Sequence, residues 1–167
     1  MHPPDGWYKC NTDDASKGNP GPSSAAFCVR NCFGDIVVVK GKRIPNSTSL
    51  VAINEGNNLC IDRNLLPLIV ETDSHTIIQL LEERWEVPWS VVMEVDAIKR
   101  MREGVPIHVK HTLREGNTLA DFFANLTINF AGTYMVEIFQ DIPAIAKKIL
   151  NMDKINMPFF RMTQLDN

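Results

Sequence analysis

The chain has 167 residues, 44% of them hydrophobic, and a net charge of −3 at pH 7, which is enough sequence to bury one sizeable core but not two. The weak negative charge excludes a positive field over the whole surface, so any binding of a polyanion has to rely on local basic patches. No apolar run approaches membrane-spanning length and the N-terminus lacks a secretory pattern, so we expect an intracellular protein, nuclear or cytoplasmic, with reduced cysteines and no membrane partner.

The first predicted elements are strands. Residues 7–13 are rich in strand formers and run into a turn of Gly and Pro residues at 16–22. Residues 25–30 and 35–40 have β-branched content and flank a short turn, which is typical of an antiparallel hairpin. The sequence therefore predicts three strands in meander order, with Asp13 at the end of the first.

Helices and strands alternate in the middle of the chain. Capping candidates before Leu50 and roughly helical spacing of apolar residues up to Ile61 predict a first helix. Residues 67–73 form a short apolar run that ends in polar residues, which indicates a strand with Asp73 at its end. Two further helices are expected, one around residues 77–81 and one starting at Pro88.

The last predicted elements are a strand at residues 105–110, a helix at 117–130 and another helix at 134–150. This order, which begins with three strands in antiparallel meander order, predicts an α/β fold with a mixed sheet and helices packed on it. We divide the chain into an N-terminal tail (1–6), one domain (7–131) and a C-terminal helical extension (132–167).

Three carboxylates can meet in this arrangement. Asp13 and Asp73 lie at predicted strand ends and Asp121 in the first turn of a predicted helix, and strand ends are where open α/β sheets bind ligands. Carboxylates brought together repel one another unless a cation lies between them, and magnesium prefers such hard oxygen ligands. Taken singly, each aspartate also fits an ordinary role in a turn, a helix cap or a helix dipole.

Three motifs in order favour the functional interpretation: NTDDASKGNPGP at residues 11–22, VETDS at 70–74 and REGNTLAD at 114–121. Together they closely resemble the plant ribonuclease H-like family, whose domains are often found at the C-terminal end of reverse transcriptases of non-LTR (LINE-type) retrotransposons, or as stand-alone remnants. The similarity runs from about residue 7 to residue 129. It implies a ribonuclease H-like α/β fold, in which a mixed sheet of three antiparallel and then two parallel strands has helices on both faces. It also implies a monomeric endonuclease without a small-molecule cofactor. Such an enzyme hydrolyses the RNA strand of RNA/DNA hybrids with two Mg²⁺ ions, or with Mn²⁺ as a substitute.

The resemblance also implies roles for individual residues. Asp13, Asp73 and Asp121 match three of the family's four metal-binding acids, and His111 matches a histidine that assists proton transfer or product release. A purely structural role at a strand end is an equal alternative for His111. Four residues are candidates for nucleic-acid contact: Ser16, Lys17, Asn19 and Asn117.

Two departures from the family pattern affect the acidic site. Asp14 stands where the family usually has glycine. In the first helix the family reads V-A-E-A-x-A-I-R-E-G, whereas residues 51–56 of this chain read VAINEG and lack four residues, including the metal-binding glutamate. Ile53 or Ser49 occupies that position, depending on the direction of alignment, and Glu55 is the candidate replacement if the helix changes register. Four residues make about one turn, so the deletion rotates the helix by only about 40° and the fold can persist.

Three functions remain open from the sequence: an active ribonuclease H, a pseudoenzyme that binds nucleic acid without cutting it, and an interaction module or retroelement remnant with neither property. The basic residues that could hold a hybrid form two patches, while Trp85 and Trp89 are expected in the core. The patches are Lys40, Lys42 and Arg43, and Lys99, Arg100 and Arg102.

Overall fold

A six-stranded mixed sheet forms the centre of the computed structural model, which describes residues 2–18, 21–46, 48–130 and 132–154. The strands are β1 (Tyr8–Ser16), β2 (Ser23–Arg30), β3 (Ile36–Arg43), β4 (Leu68–Thr72), β5 (Ile107–His111) and β6 (Thr133–Val136). Their order across the sheet is β5-β4-β1-β2-β3-β6. Strands β1, β2, β3 and β6 pair antiparallel in that order, β4 pairs parallel to β1, and β5 pairs parallel to β4. This confirms the predicted mixed sheet.

Helices cover both faces of the sheet. They are α1 (Ser49–Asp62), α2 (His75–Leu81), α3 (Val92–Arg102), α4 (Thr118–Thr127) and α5 (Ala144–Lys154). Alternation along β2 separates the two cores: Phe27 packs in the cluster with α1, α2 and α3, whereas Cys28 packs in the cluster with α4 and α5. A strand covered on both faces loses the apolar/polar alternation of a surface strand, and all eight residues of β2 are buried. None of the helices in the described part of the chain combines the length and the apolar composition that a bilayer crossing needs.

The pairing of β1 determines where its aspartates lie. Its parallel pairing with β4 runs from Tyr8 to Asn11, while its antiparallel pairing with β2 continues to Ser16. Asp13 is therefore inside β1 rather than at its end, which corrects the expectation from the sequence. It lies just beyond the part of the strand that pairs with β4, and so close to the end of β4.

The segment after residue 131 begins with a strand instead of the expected helix. Strand β6 pairs with β3 from Val39↔Val136 to Lys42↔Thr133, and α5 starts only at Ala144. Four residues are too few to show an alternating pattern, and the partner strand is about ninety residues away in the sequence. Residues 155–167 of the predicted extension lie outside the described residues.

The two tryptophans that were expected in the core are at the surface. Trp85 is 55% exposed, and Trp89, in a short 3-10 turn before α3, is 90% exposed. The buried residues of α3 are Val95 and Ile98, and neither tryptophan belongs to the core.

Candidate active site

The structure brings the three predicted aspartates to one edge of the sheet. Asp13 is 8% exposed, and burial raises its pKa from 3.8 to about 7 against the lowering effect of the Asp14 N–H group. The negative charges of Asp73 and Asp121 raise this pKa further. Residues from β1, from the end of β4 and from the first turn of α4 therefore share one electrostatic environment.

This acidic edge has the donor chemistry of a divalent-cation site but not the closed geometry of one. Within the residues that the structure describes, no three His, Cys, Asp or Glu side chains lie close enough together to enclose a metal ion as they stand. Carboxylates that lie near one another repel unless a cation lies between them. A buried, uncompensated carboxylate such as Asp13 is what a hard cation with oxygen ligands would neutralise.

A fourth carboxylate, that of Asp14, lies at the same edge on the α1 side of the sheet. Its Oδ1 accepts a hydrogen bond from Ser49 Oγ, and Ser49 is the first residue of α1. The pKa of Asp14 is raised by burial and by the charge of Asp73, while the Ser49 hydrogen bond opposes the rise. Of the two alignments of the shortened helix, the structure places Ser49 beside the acids and buries Ile53 in the core. The sequence presented Asp14 only as a departure from glycine, and its contact with α1 was not foreseen.

Glu55, the candidate replacement for the missing glutamate, faces a different part of the molecule. Its carboxylate lies 3.6 Å from Lys40 Nζ on β3, and it lines a surface cavity with Arg63 and Met135. The structure therefore does not bring Glu55 to the aspartates.

His111 is the last residue of β5 and lies beside Thr72 of β4, next to Asp73. Its ring stacks on that of His75, with 3.8 Å between the ring centroids and 18° between the planes. His75 begins α2 two residues after Asp73, and no sequence motif marks it as a site residue. The stack gives His111 a fixed partner at the acidic edge.

The predicted nucleic-acid contacts lie in different environments. Ser16 and Lys17 are exposed, and Lys17 Nζ donates to Asn129 Oδ1 at 2.7 Å. Asn19 lies outside the described residues. Asn117 is 1% exposed, so its side chain cannot touch a nucleic acid unless the structure opens, and the expected contact does not occur in this conformation.

Each basic patch has one member in an ion pair. Lys40 pairs with Glu55 at 3.6 Å, and Lys99 pairs with Glu83 at 2.9 Å. Because these pairs cancel part of the positive charge, the patches are weaker than a count of their basic residues indicates.

A groove leads away from the acidic edge between α1, α2 and the turn that carries Trp89. Its polar lining includes Asp14, Ser49, Ser74 and Ser90, and Ile77 and Leu80 contribute to its apolar floor. Hydroxyl groups along a groove that begins at carboxylates can donate hydrogen bonds to a polar ligand crossing this edge.

The sequence of this chain is similar to one protein family and to a plant protein. The sequence model of the family described as "Reverse transcriptase-like" matches residues 11–127, which include all four aspartates of the acidic edge. An Arabidopsis thaliana protein named "Putative ribonuclease H protein" is 27% identical over 132 residues, which is 75% of this chain and 21% of that protein. The chain thus spans about one fifth of that relative's length.

Solved structures share the fold at low sequence identity. The RNase H1 of the halophilic archaeon Halobacterium salinarum superposes with a TM-score of 0.68 at 22% identity, covering 74% of this chain and 98% of that one. The N-terminal RNase H domain of rv2228c from Mycobacterium tuberculosis gives 0.66 at 19% identity, covering 73% and 93%. LC11-RNase H1, solved in complex with an RNA/DNA hybrid, gives 0.62 at 21% identity, covering 73% and 96%.

Proposed function

The chain belongs to the reverse transcriptase-like family, and from this membership and its acidic edge we propose that it is an endoribonuclease that hydrolyses the RNA strand of RNA/DNA hybrids. The observation that carries the proposal is the shared electrostatic environment of Asp13, Asp73 and Asp121. A fold in common with proteins named RNase H, one of them solved with a hybrid, supports it.

The carboxylates of Asp13, Asp73 and Asp121 would hold Mg²⁺, or Mn²⁺ in its place. Two such ions, when bound, supply an activated water and stabilise the leaving oxygen of the phosphodiester. The chain's own contribution is to keep three charges near one another on β1, β4 and α4, so that binding a cation relieves their repulsion.

Asp14 would supply the fourth carboxylate of this site. The first turn of α1 contains no acidic residue, and Ser49 at its start donates to Asp14 instead. A negative charge therefore reaches the α1 side of the acidic edge from the strand rather than from the helix.

The substrate would cross the acidic edge and continue along the hydroxyl-lined groove. Ser74 and Ser90 can donate to phosphate oxygens or to 2′-hydroxyls. The 2′-hydroxyl is the group by which proteins tell RNA from DNA. His111, held against His75, would accept a proton or return one to the product strand, because an imidazole nitrogen can accept or donate a proton.

A second candidate is a pseudoenzyme that binds hybrids without cutting them. The observation that favours it is the absence of an acid from the first turn of α1, since two ions require more carboxylate oxygens than one. The two candidates predict the same binding and different turnover.

Cleavage of a labelled RNA/DNA hybrid, in Mg²⁺ and in EDTA, tests the proposal. We expect Mg²⁺-dependent cleavage that falls by at least about 100-fold in Asp73→Asn, which is the upper end of the loss seen when residues supporting a metal site are changed. Glu55→Gln is the matched control, because it also converts an acid to its amide but acts at the Lys40 ion pair, and it should retain activity.

Each outcome separates the candidates. Hybrid binding without cleavage in Mg²⁺ or Mn²⁺ would leave the pseudoenzyme as the better candidate. No binding at low salt would refute both, because phosphate contacts strengthen as salt falls. Equal cleavage by the wild type and Asp73→Asn would exclude the acidic edge as its source.

A further inference from the structure

Beneath the acidic edge, on the α4 side of the sheet, lies a network of polar side chains. Its members are Lys9, Asn11, Arg30, Glu71 and Asn117; all except Glu71 are at most 5% exposed. Asn11 is at the centre: its Nδ2 donates to Glu71 Oε2 at 2.9 Å and to Asn117 Oδ1 at 3.3 Å. Its Oδ1 accepts from Arg30 Nη2 at 2.8 Å. One amide therefore connects β1 to β2, to β4 and to the start of α4.

Both residues that accept a hydrogen bond from Asn11 Nδ2 are close in sequence to one of the acids. Glu71 is the second-last residue of β4 and lies two residues before Asp73, which follows the end of that strand. Asn117 lies four residues before Asp121, about one helical turn away. Asn11 itself lies two residues before Asp13 and shares its face of β1.

Asn117 also forms a direct link between α4 and the strand that carries Asp13. Its Nδ2 donates to the backbone carbonyl of Thr12 at 2.9 Å. The distance between β1 and the first turn of α4 is thus fixed within one residue of Asp13 and one turn of Asp121.

We propose that Asn11 and Asn117 are positioning residues, which set the spacing of Asp13, Asp73 and Asp121 through the hydrogen bonds that join Asn11 to Glu71 and Asn117. This inference rests on the proposed function, since it assigns the spacing a purpose in holding divalent ions. An apolar cluster would fill the same space without desolvating Lys9, Arg30 and Glu71, so packing alone does not require the network. Buried hydrogen bonds fix angles and distances that apolar contacts leave adjustable.

The test is the affinity of the full chain for Mn²⁺, measured by isothermal titration calorimetry, together with the melting temperature in EDTA. Asn117→Leu keeps the branched shape of the side chain and removes both hydrogen-bonding atoms. We expect its Mn²⁺ dissociation constant to rise by about 10- to 100-fold, as for other residues that support metal ligands.

Ser24→Ala is the matched control. It removes a buried hydrogen bond of 2.6 Å from Ser24 Oγ to the carbonyl of Ala124, which also joins a strand to α4 but lies outside the network. We expect a lower melting temperature and an unchanged Mn²⁺ affinity. Equal losses of affinity in Ser24→Ala and Asn117→Leu would show that general destabilisation is the cause and would overturn the inference.

A second pair of variants covers the case in which Asn117→Leu does not fold. Glu71→Gln keeps an oxygen that can accept from Asn11, whereas Glu71→Leu does not. We expect Gln to preserve the affinity and Leu to reduce it.

Two further results have separate meanings. If the wild type binds Mn²⁺ and the folded Leu variants bind it equally well, the positioning role is wrong and the proposed function stands. If the wild type itself binds no Mn²⁺, the proposed function fails and this inference fails with it.

Discussion

Replacing Asp13 with asparagine should make the free protein more stable at pH 8 while leaving its stability at acid pH nearly unchanged. The side-chain oxygen that accepts from the Asp14 N–H is retained in asparagine, so the substitution removes the charge and little else. In the wild type the pKa of Asp13 is raised from 3.8 to about 7, so the folded state holds a proton that the unfolded state has released in this range. The stability that Asp13 contributes is therefore fully present below pH 3.8 and is lost as the pH rises to about 7.

The size of the effect follows from the pKa. A rise from 3.8 to about 7 corresponds to about 4 kcal/mol between the two protonation states. A carboxylate at an open sheet edge keeps part of its hydration, so we expect about 2 kcal/mol, which for a chain of this size is about 4 to 8 °C in melting temperature. Mg²⁺ should recover much of this loss in the wild type and little in the variant, because ligand binding stabilises only the folded form that binds it.

Thermal unfolding followed by circular dichroism, in EDTA at pH 4.5 and pH 8, measures this difference. Asp96→Asn is the control, since it removes an exposed charge from α3 and reports the effect of net charge alone. If the melting temperatures of the wild type and Asp13→Asn change in parallel between the two pH values, the uncompensated charge at the acidic edge is not present and the reasoning is refuted.

Two more predictions follow from single side chains. Asp14→Gly restores the residue that the resemblance leads us to expect. It should nevertheless weaken Mn²⁺ binding by about 10-fold or more, because it removes the carboxylate next to Ser49. An unchanged Mn²⁺ affinity in calorimetry would exclude Asp14 from the site. Asn57 on α1 is fully buried with neither amide atom hydrogen-bonded, so Asn57→Leu should raise the free energy of unfolding in urea by about 1 to 2 kcal/mol. A destabilised Asn57→Leu variant would show that the core beneath α1 has no room for the branched apolar side chain.

Much of the fold could be predicted because its signals are local. The turn between β2 and β3, the apolar run of β4 and the spacing of Val95 and Ile98 in α3 can each be recognised within one short window. Strand β6 could not be predicted, because four residues are too few to show an alternating hydrophobic pattern and its partner β3 is remote in the sequence. The exposure of Trp89 could not be predicted either, because a large apolar residue next to a helix start is more often buried than exposed to solvent.

The candidate site likewise has a part that the sequence predicts and a part that it does not. Motif order and strand ends pointed to Asp13, Asp73 and Asp121, and the structure places them in one electrostatic environment. The contacts of Glu55 depend on the register of α1, and those of Asn117 depend on how deeply its own side chain is buried. Neither quantity can be read from residue types, because both are set by contacts with strands elsewhere in the chain.

Strand β6 and helix α5 have a consequence for how the protein can be shortened. The family match ends at Thr127, but beyond it Val136, Ile142 and Leu150 are buried in the cluster that covers α4. A chain cut at the end of the match would leave the backbone amides of β3 without partners along a bare edge, next to an uncovered apolar surface. Such edges template pairing with other molecules, so the shortened protein should self-associate and precipitate, and the unit that folds reaches well past the unit that the family shares.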